Sequence, residues 1–264
     1  MSGNLIVEKR NMVAIVTLNR PEIRNAFDDV LISNLTESLL DLEKDESVRV
    51  VVLAGAGKAF CAGADLNWMK RMAGYGYERN LADAGALAAM LKTLDRLKKP
   101  TVARVHGPAY AGGVGLVAAC DIAVGSQEAD FCLTEVKLGL SPATISPYVV
   151  RAIGERASRR YFLTGERFEA LEAQRLGLLS MVSASQRLDA DIDEILQQLL
   201  QGGPEAQKKI KDLISAVSRG GPVTDAVIDN TAKRIAEIRV SSEGREGIAS
   251  FLEKRKPGWA ARKS

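Results

Sequence analysis

A glycine-rich segment followed by a single glutamate carries the chemistry that this sequence can perform. HGPAYAGGVGLVAACDI runs from His106 to Ile122, and FCLTEVKLGL runs from Phe131 to Leu140. Gly112 and Gly113 leave backbone N–H groups exposed where a helix begins, and the helix dipole there favours an anion. Glu135 lies in a largely apolar stretch. Together they predict a site that stabilises a developing oxyanion and moves a proton beside it.

A second turn of small residues occurs earlier in the chain. FCAGADL, from Phe60 to Leu66, follows the β-branched run from Val48 to Gly55 and precedes a short helix. Its small residues, Ala62, Gly63 and Ala64, let a ligand approach the backbone closely. Because both turns follow strands of one core, their N–H groups can converge on one oxygen. Considered alone, this turn is equally consistent with a tight turn that binds nothing.

Alternating strands and helices must position these turns, and they predict an α/β core with parallel strands. We expect this core over residues 1–200 and a helical C-terminal region over residues 201–264. The predicted strands are Leu5–Val7, Val13–Leu18, Val48–Gly55, Thr101–Val105, Asp121–Gly125 and, as the only strand after Arg151, Met181–Val182. The predicted helices are Asp28 or Asp29 to Glu43, Leu66–Met72, Leu81–Leu97, Gly113–Ala119, Glu155–Leu163, Ala170–Leu176, Leu188–Leu200, Glu205–Ser218, Val223–Arg239 and Glu243–Lys254.

The composition narrows the class of protein. The 264 residues are 46% hydrophobic and 26% charged, which is typical of a soluble globular protein. The net charge of +3, with acidic and basic residues interleaved, argues against a nucleic-acid surface but not against a local anion pocket. Three cysteines without a CxxC pair suit a reducing compartment. No apolar run reaches ~18 residues, so we expect no membrane span and a cytoplasmic location, or a matrix protein without its presequence.

Several catalytic motifs are absent. The sequence lacks GxxxxGK[ST], GxGxxG and GxSxG, which argues against a P-loop, a dinucleotide site and a nucleophile elbow. With His106 as the only histidine, neither a zinc site nor a Ser–His triad is expected. We expect this histidine to form a backbone hydrogen bond in a turn, so acid–base chemistry falls to carboxylates.

In these motifs the chain resembles the crotonase (enoyl-CoA hydratase/isomerase) superfamily. The resemblance covers nearly all of the chain, from LNRPEIRNAF (Leu18–Phe27) through FCAGADL and the glycine turn to CDIAV and FLEKRKPGW (Phe251–Trp259). It implies a β-β-α spiral core that binds an acyl-CoA thioester, with the N–H groups of Ala64 and Gly112 holding the thioester oxygen as it becomes an enolate. It also implies a homotrimer or hexamer. No metal and no cofactor are implied, since coenzyme A is part of the substrate.

The chain departs from the pattern of the well-known hydratases of this superfamily. Those enzymes carry two glutamates that share the attacking water. The first position falls on Gly115 and the second on Glu135, which leaves one carboxylate where the hydratases have two. Asp121 and Asp130 are weaker candidates for the missing acid, because Asp121 is expected at a helix–strand boundary and Asp130 in a loop.

A single glutamate still supports two reactions. Glu135 could deprotonate a water that attacks Cβ and then return the proton at Cα, or it could shuttle a proton between carbons and so isomerise the double bond. The N–H group of Ala143 matches a family position that also holds the water. Acid catalysis near neutral pH requires a raised pKa, and we expect Phe131, Val136 and Leu138 to supply the apolar surroundings.

The resemblance also places coenzyme A along the first turns. The implied contacts are backbone groups of Ala62, Asp65 and Leu66 for the adenine, Ala26 for the pantetheine, Arg24 for the phosphates, and Phe251 and Lys254 for the ligand of a neighbouring subunit. Arginine suits phosphate as a fork-shaped donor. Trp68, Met69 and Met72 follow at helical spacing and line either the core or a broad acyl pocket.

Two stretches narrow the expected substrate. GADLNWMKRMA and the run from Ser141 to Tyr161, SPATISPYVVRAIGERASRRY, resemble bacterial hydratases of methylglutaconyl-CoA and isohexenylglutaconyl-CoA. We therefore expect hydration of a branched 2-enoyl-CoA. The alternatives are an enoyl-CoA isomerase and, from another class, a non-catalytic RNA-binding protein of the same fold, against which the small net charge and Glu135 both weigh.

Overall fold

A computed structural model describes residues 3–218 and 221–260. The chain divides into two compact units, one of residues 1–97 and 101–194 and the other of residues 98–100 and 195–264. Every described strand lies in the first unit, and the described elements of the second unit are helical.

The larger sheet has six strands, which are, in spatial order, β1 (Leu5–Arg10), β2 (Val13–Leu18), β3 (Val50–Gly55), β4 (Thr101–Val105), β6 (Ile122–Ser126) and β9 (Met181–Ser183). Neighbouring strands are parallel, except that β1 and β2 form an antiparallel hairpin. The first five residues of β3, VVVLA, are buried, which is why this β-branched run reads as an inner parallel strand. The predicted parallel core is confirmed.

A smaller sheet of three short strands was not expected. It consists of β5 (Ala109–Tyr110), β7 (Asp130–Cys132) and β8 (Arg167–Glu169). β7 is parallel to β5 and antiparallel to β8. The expectation that Met181–Val182 is the only strand after Arg151 is therefore wrong. Strands of two or three residues are too short to show an alternating pattern, and their pairing partners, distant in sequence, decide their conformation.

The helices cover the sheets and make up the second unit. They are α1 (Asp29–Lys44), α2 (Leu66–Met72), α3 (Tyr77–Asp95), α4 (Gly112–Ala119), α5 (Ser146–Thr164), α6 (Ala170–Leu176), α7 (Leu188–Gln201), α8 (Pro204–Val217), α9 (Asp225–Val240) and α10 (Ser242–Leu252). Within α5, Gly154 has non-helical backbone angles, φ +76° and ψ +164°, and divides the element into two helical segments. The predicted start at Glu155 is where the second segment begins, whereas the first segment, from Ser146 to Ile153, was not expected. No helix among the described residues is long and apolar enough to cross a membrane.

The second unit exposes much apolar surface when taken by itself. The exposed side chains include Ile210, Ile214, Val217, Ile228, Ile235, Val240, Ile248, Phe251 and Leu252. Phe251 is 81% exposed, and Lys254 follows the end of α10 with φ +53°. Both predicted ligand contacts in this unit are therefore accessible in the single chain.

Candidate active site

The two small-residue turns lie against each other in the first unit. Cys61 and Ala109 form a parallel bridge, and the Tyr110 N–H donates to the Cys61 oxygen over 2.9 Å. A Cβ atom built on Gly63 would lie 3.0 Å from Cβ of Ala111 and 3.6 Å from the nitrogen of Gly112. The structure thus brings together the two turns that the sequence analysis paired.

Each turn presents an N–H group that is available to a ligand. Among the described residues, the N–H groups of Ala64 and Gly112 donate to neither a backbone carbonyl nor a side chain. Gly112 is the first residue of α4, whose eight residues are all buried. Its N–H therefore combines the positive end of a helix with a surrounding of low polarity, which strengthens an interaction with an oxyanion.

A strained residue orients the second turn. Ala111 has φ +49° and ψ −119°, a conformation that costs a residue other than glycine about 1–3 kcal/mol. Its N–H donates to the Cys132 oxygen over 2.8 Å, and its carbonyl accepts from the Val114 N–H over 2.9 Å. Pairing between β5 and β7 thus holds the peptide that carries the Gly112 N–H.

The same small sheet positions Glu135, which follows β7 in the chain. This glutamate begins a 3-10 turn, Glu135–Leu138, three residues after Cys132, the residue paired with Tyr110. Its Oε2 atom is buried and has no hydrogen-bond partner among the described residues. Burial raises the pKa of Glu135 above its ordinary value. Phe131 is fully buried nearby in the chain, whereas Leu138 is 59% exposed, so its side chain largely faces solvent.

The position of the absent first glutamate is closed. A Cβ atom built on Gly115 would overlap Cγ2 of Ile145 and lie 2.8 Å from Cβ of that residue. Ile145 is itself buried, and a β-branched side chain has few alternative rotamers. Gly115 is therefore required by packing between α4 and the start of α5, and no side chain at this position fits the present arrangement.

The weaker acid candidates are already engaged. The Asp121 carboxylate accepts from the N–H and the hydroxyl of Thr101 over 2.8 and 2.9 Å. The Asp130 carboxylate accepts from the Tyr110 hydroxyl over 2.6 Å. Ala143, in contrast, lies exposed in the loop before α5, and its N–H donates to no group in the described part of the chain. It is available for the predicted contact with water.

The predicted coenzyme A contacts cluster around the first turn. The Ala62 N–H donates to the Arg24 oxygen over 2.9 Å, and the exposed Arg24 side chain forms no ion pair among the described residues. The backbone of Asp65 already forms hydrogen bonds: its N–H donates to the Phe27 oxygen and its carbonyl accepts from the Met69 N–H, each over 2.9 Å. The carbonyl of Ala62 and the N–H of Leu66 have no such partner in the described part of the chain, and the three backbone contacts stay predictions.

Trp68 belongs to the core, and Met69 is half-buried behind it. The Trp68 side chain is 4% exposed, its ring lies 6.2 Å from that of Phe27, and its Nε1 donates to Asp83 over 3.2 Å. It also lines a cavity of about 280 Å³ between α1 and α3. The Phe27 ring in turn packs against Gly112, where a Cβ atom would lie 2.8 Å from Cε1 of the ring.

His106 takes no part in the cluster. Its Nε2 lies 2.9 Å from the Gly57 oxygen, which is the expected backbone hydrogen bond, and burial lowers its pKa. No group of three or more potential metal-ligating side chains lies together within residues 3–218 and 221–260.

Two residues that support the first turn were missed. Asn25 is fully buried with φ +56°; its Nδ2 donates to the oxygens of Ala56 and Ala59, each over 2.8 Å, and its Oδ1 accepts from the Arg20 N–H. Arg20 joins several acceptors around the turn. Both residues lie within LNRPEIRNAF. The signal that could have identified Asn25 is that Asn tolerates positive φ better than most residues.

We expect Asn25→Ala to destabilise the first unit strongly. It removes three hydrogen bonds, each worth about 1 kcal/mol net, and leaves the buried Ala59 carbonyl and the partly buried Ala56 carbonyl unsatisfied, so we expect a loss of at least ~3 kcal/mol. Urea unfolding followed by circular dichroism measures the change. Asn34→Ala, on the partly exposed face of α1, is the comparison; an equal loss in both variants would contradict the special role of Asn25.

Comparison with known proteins places this site in a family. The model described as enoyl-CoA hydratase/isomerase matches residues 8–262. The short-chain-enoyl-CoA hydratase of Clostridium acetobutylicum is 31% identical over 261 residues, covering 96% of each chain. An enoyl-CoA hydratase of Alternaria alternata is 34% identical, covering 97% of this chain and 83% of its own. The crystal structure of an enoyl-CoA hydratase from Shewanella pealeana is 43% identical, with a TM-score of 0.94 over 97% of this chain and 96% of that one.

The fold and the paired turns thus define a crotonase-type acyl-CoA enzyme. The chain belongs to the enoyl-CoA hydratase/isomerase family. The predicted fold class is confirmed, as is the prediction that the chain is an enzyme of the enoyl-CoA hydratase type.

Proposed function

We propose that this enzyme hydrates a branched 2-enoyl-CoA of the glutaconyl type, such as 3-methylglutaconyl-CoA or isohexenylglutaconyl-CoA. The observation that carries the hydration is Oε2 of Glu135, which is buried and has no hydrogen-bond partner within residues 3–218 and 221–260. A buried carboxylate oxygen without a partner is costly unless it serves a reactant. The branched acyl chain is supported by the resemblance of the stretches after Gly63 and Ser141.

In the proposed reaction the thioester oxygen accepts hydrogen bonds from the N–H groups of Ala64 and Gly112. Glu135 takes a proton from water as the water oxygen bonds to Cβ, and the electrons of the double bond move onto the thioester as an enolate. The enolate then collapses, and Cα takes the proton back from Glu135. Each oxyanion donor is worth ~2.7–4 kcal/mol in the transition state.

Glu135 alone handles the proton in this scheme. Ile145 closes the space beside Gly115, and the carboxylates of Asp121 and Asp130 are engaged elsewhere. The Ala143 N–H is the proposed second partner of the water. The same single carboxylate favours double-bond isomerisation as the second candidate function, in which Glu135 moves a proton from one carbon to another without adding water.

Coenzyme A is proposed to lie along the first turn, with the exposed Arg24 guanidinium at the phosphates and Ala26, Ala62 and Leu66 beside the pantetheine and adenine. The exposed aliphatic side chains of α8–α10 support a homotrimer or hexamer, in which Phe251 and Lys254 reach a neighbouring ligand. We propose no cofactor and no metal. We also propose a cytoplasmic location, which the three cysteines without a CxxC pair in the sequence support.

The test is incubation of the purified enzyme with 3-methylglutaconyl-CoA and with crotonyl-CoA in ¹⁸O-labelled water. We expect loss of the enoyl-thioester absorbance with one ¹⁸O gained, and a higher kcat/KM for the branched substrate. A shifted double bond without ¹⁸O would establish the isomerase instead. Hydration of crotonyl-CoA alone would contradict the branched substrate but not the reaction.

A further inference from the structure

We propose that Arg20 is a positioning residue for catalysis, because it fixes the direction of the Ala64 N–H through Asp65 and the Ala26 carbonyl. This inference rests on the proposed function, since it assigns a role to the support of one oxyanion donor. It concerns the described contacts of LNRPEIRNAF with FCAGADL, two segments about forty residues apart in the sequence.

One guanidinium group joins three acceptors. Its Nη1 donates to the Ala26 oxygen over 2.8 Å and lies 3.0 Å from Oδ2 of Asp28. Its Nη2 donates to Oδ2 of Asp65 over 3.0 Å. The three side chains are at most 18% exposed, so solvent screens the interactions less than it would on the surface.

Both carboxylates use their second oxygen to begin a helix. Oδ1 of Asp28 accepts from the Leu31 N–H at the start of α1. Oδ1 of Asp65 accepts from the N–H groups of Asn67 and Trp68 at the start of α2. Burial raises the pKa of Asp65, but these N–H groups and Arg20 outweigh it and lower the pKa overall. The Arg20 guanidinium therefore connects the N-terminus of α1 with the N-terminus of α2.

Two backbone hydrogen bonds next to this guanidinium determine the direction of the Ala64 N–H. The Phe27 N–H donates to the Gly63 oxygen over 2.8 Å, and the Asp65 N–H donates to the Phe27 oxygen over 2.9 Å. These two bonds hold the peptides on both sides of Ala64, so its own N–H points away from Phe27. Arg20 binds the carbonyl of Ala26, which precedes Phe27, and the carboxylate of Asp65, which follows Ala64. Movement of Ala26 or Asp65 would change the direction of the Ala64 N–H.

Lysine cannot replace this arginine. An ammonium group carries the same charge, but it lacks the planar fork that reaches acceptors on two sides. Arg20→Lys is therefore expected to keep the fold and loosen the Ala64 peptide. Asp65→Asn tests the same link from the other side, because its amide oxygen still accepts from the start of α2 while the charge that faces Arg20 is lost.

The experiment compares an enolate with a neutral thioester. Acetoacetyl-CoA binds an oxyanion site as its enolate, which is followed by its near-ultraviolet absorbance, whereas butyryl-CoA binds without charge on the thioester oxygen. For Arg20→Lys we expect kcat for hydration to fall ~10- to 100-fold with KM unchanged. We expect the affinity for the acetoacetyl-CoA enolate to fall in parallel and that for butyryl-CoA to stay. Asp65→Asn should likewise lower the affinity for the acetoacetyl-CoA enolate and leave the affinity for butyryl-CoA unchanged.

Arg187→Lys is the matched control, because it weakens an exposed pair with Asp191 at 2.8 Å in the same unit. It should leave kcat and both affinities unchanged. A purely structural role of Arg20 predicts that the two affinities fall together or not at all, and either result would overturn the inference. If the wild-type enzyme itself gives no enolate absorbance, the proposed function fails and the inference fails with it.

Discussion

Glu135→Gln is expected to lower kcat by ~10²-fold or more while leaving the protein at least as stable near neutral pH. General acid–base catalysis supplies rate factors of ~10²–10⁴, and an amide cannot take the proton of water. Butyryl-CoA should still bind, because its proposed contacts lie on the first turn. Stopped-flow absorbance with the enoyl thioester and titration with butyryl-CoA separate the two effects.

The stability of this variant follows from the raised pKa of the buried carboxyl. Because its pKa in the folded protein exceeds the unfolded value of 4.5, the folded state holds the proton more tightly. This stabilisation is fully present below pH 4.5 and is lost as pH rises through the folded pKa. Glutamine does not ionise, so the stability of Glu135→Gln relative to wild type should increase over that window. The acid limb of kcat/KM should likewise lie above pH 4.5 in the wild type.

Glu169→Gln, at the exposed end of β8, is the control and should leave turnover unchanged. Two results would contradict the assignment of Glu135. One is near-normal turnover in Glu135→Gln. The other is a loss of stability near neutral pH as large as that at low pH, which would indicate a structural role for the carboxylate.

Gly115→Glu is expected to unfold the site and not to improve hydration. The new side chain would meet Ile145 at once, and its carboxylate would lie in a helix whose residues are all buried. Overpacking costs about 1–3 kcal/mol, and an unpaired buried charge adds to it, so we expect a loss of ~3 kcal/mol or more. Urea unfolding and enoyl-thioester turnover measure the two quantities.

The double variant Gly115→Glu/Ile145→Gly should recover part of that loss, because it restores the space. We expect a favourable coupling within the usual ~0.5–3 kcal/mol for residues in contact. Gly85→Glu is the matched control, since Gly85 lies exposed in α3 and nothing lies within 4 Å of a Cβ built there. Additive effects in the double variant would show that Ile145 does not close the position.

The sequence predicts well where one residue's chemistry decides the local structure. The β-branched run of β3, and Gly112 and Gly113 at the start of α4, predict their elements directly, because burial and backbone freedom are local requirements. The strand β8 and the partners of Arg20 depend on segments distant in sequence, and no periodic pattern marks them. The contact by which Ile145 excludes a side chain at position 115 could not be predicted either, because the two residues are thirty positions apart in the sequence. The proposed roles of Glu135, Ala64, Gly112 and Ala143 stay predictions.

The pairing of β5 with β7 has a consequence for how such an enzyme can change its substrate. The Ala111–Cys132 hydrogen bond links the Gly112 N–H and Glu135, the proposed second oxyanion donor and the proposed acid, to one short piece of sheet. The helices α2 and α3 follow the other turn and contribute no strand to that sheet. Under the proposed function, substitutions in these helices would leave the spacing between donor and acid unchanged, so selection for a new acyl chain need not rebuild the catalytic chemistry.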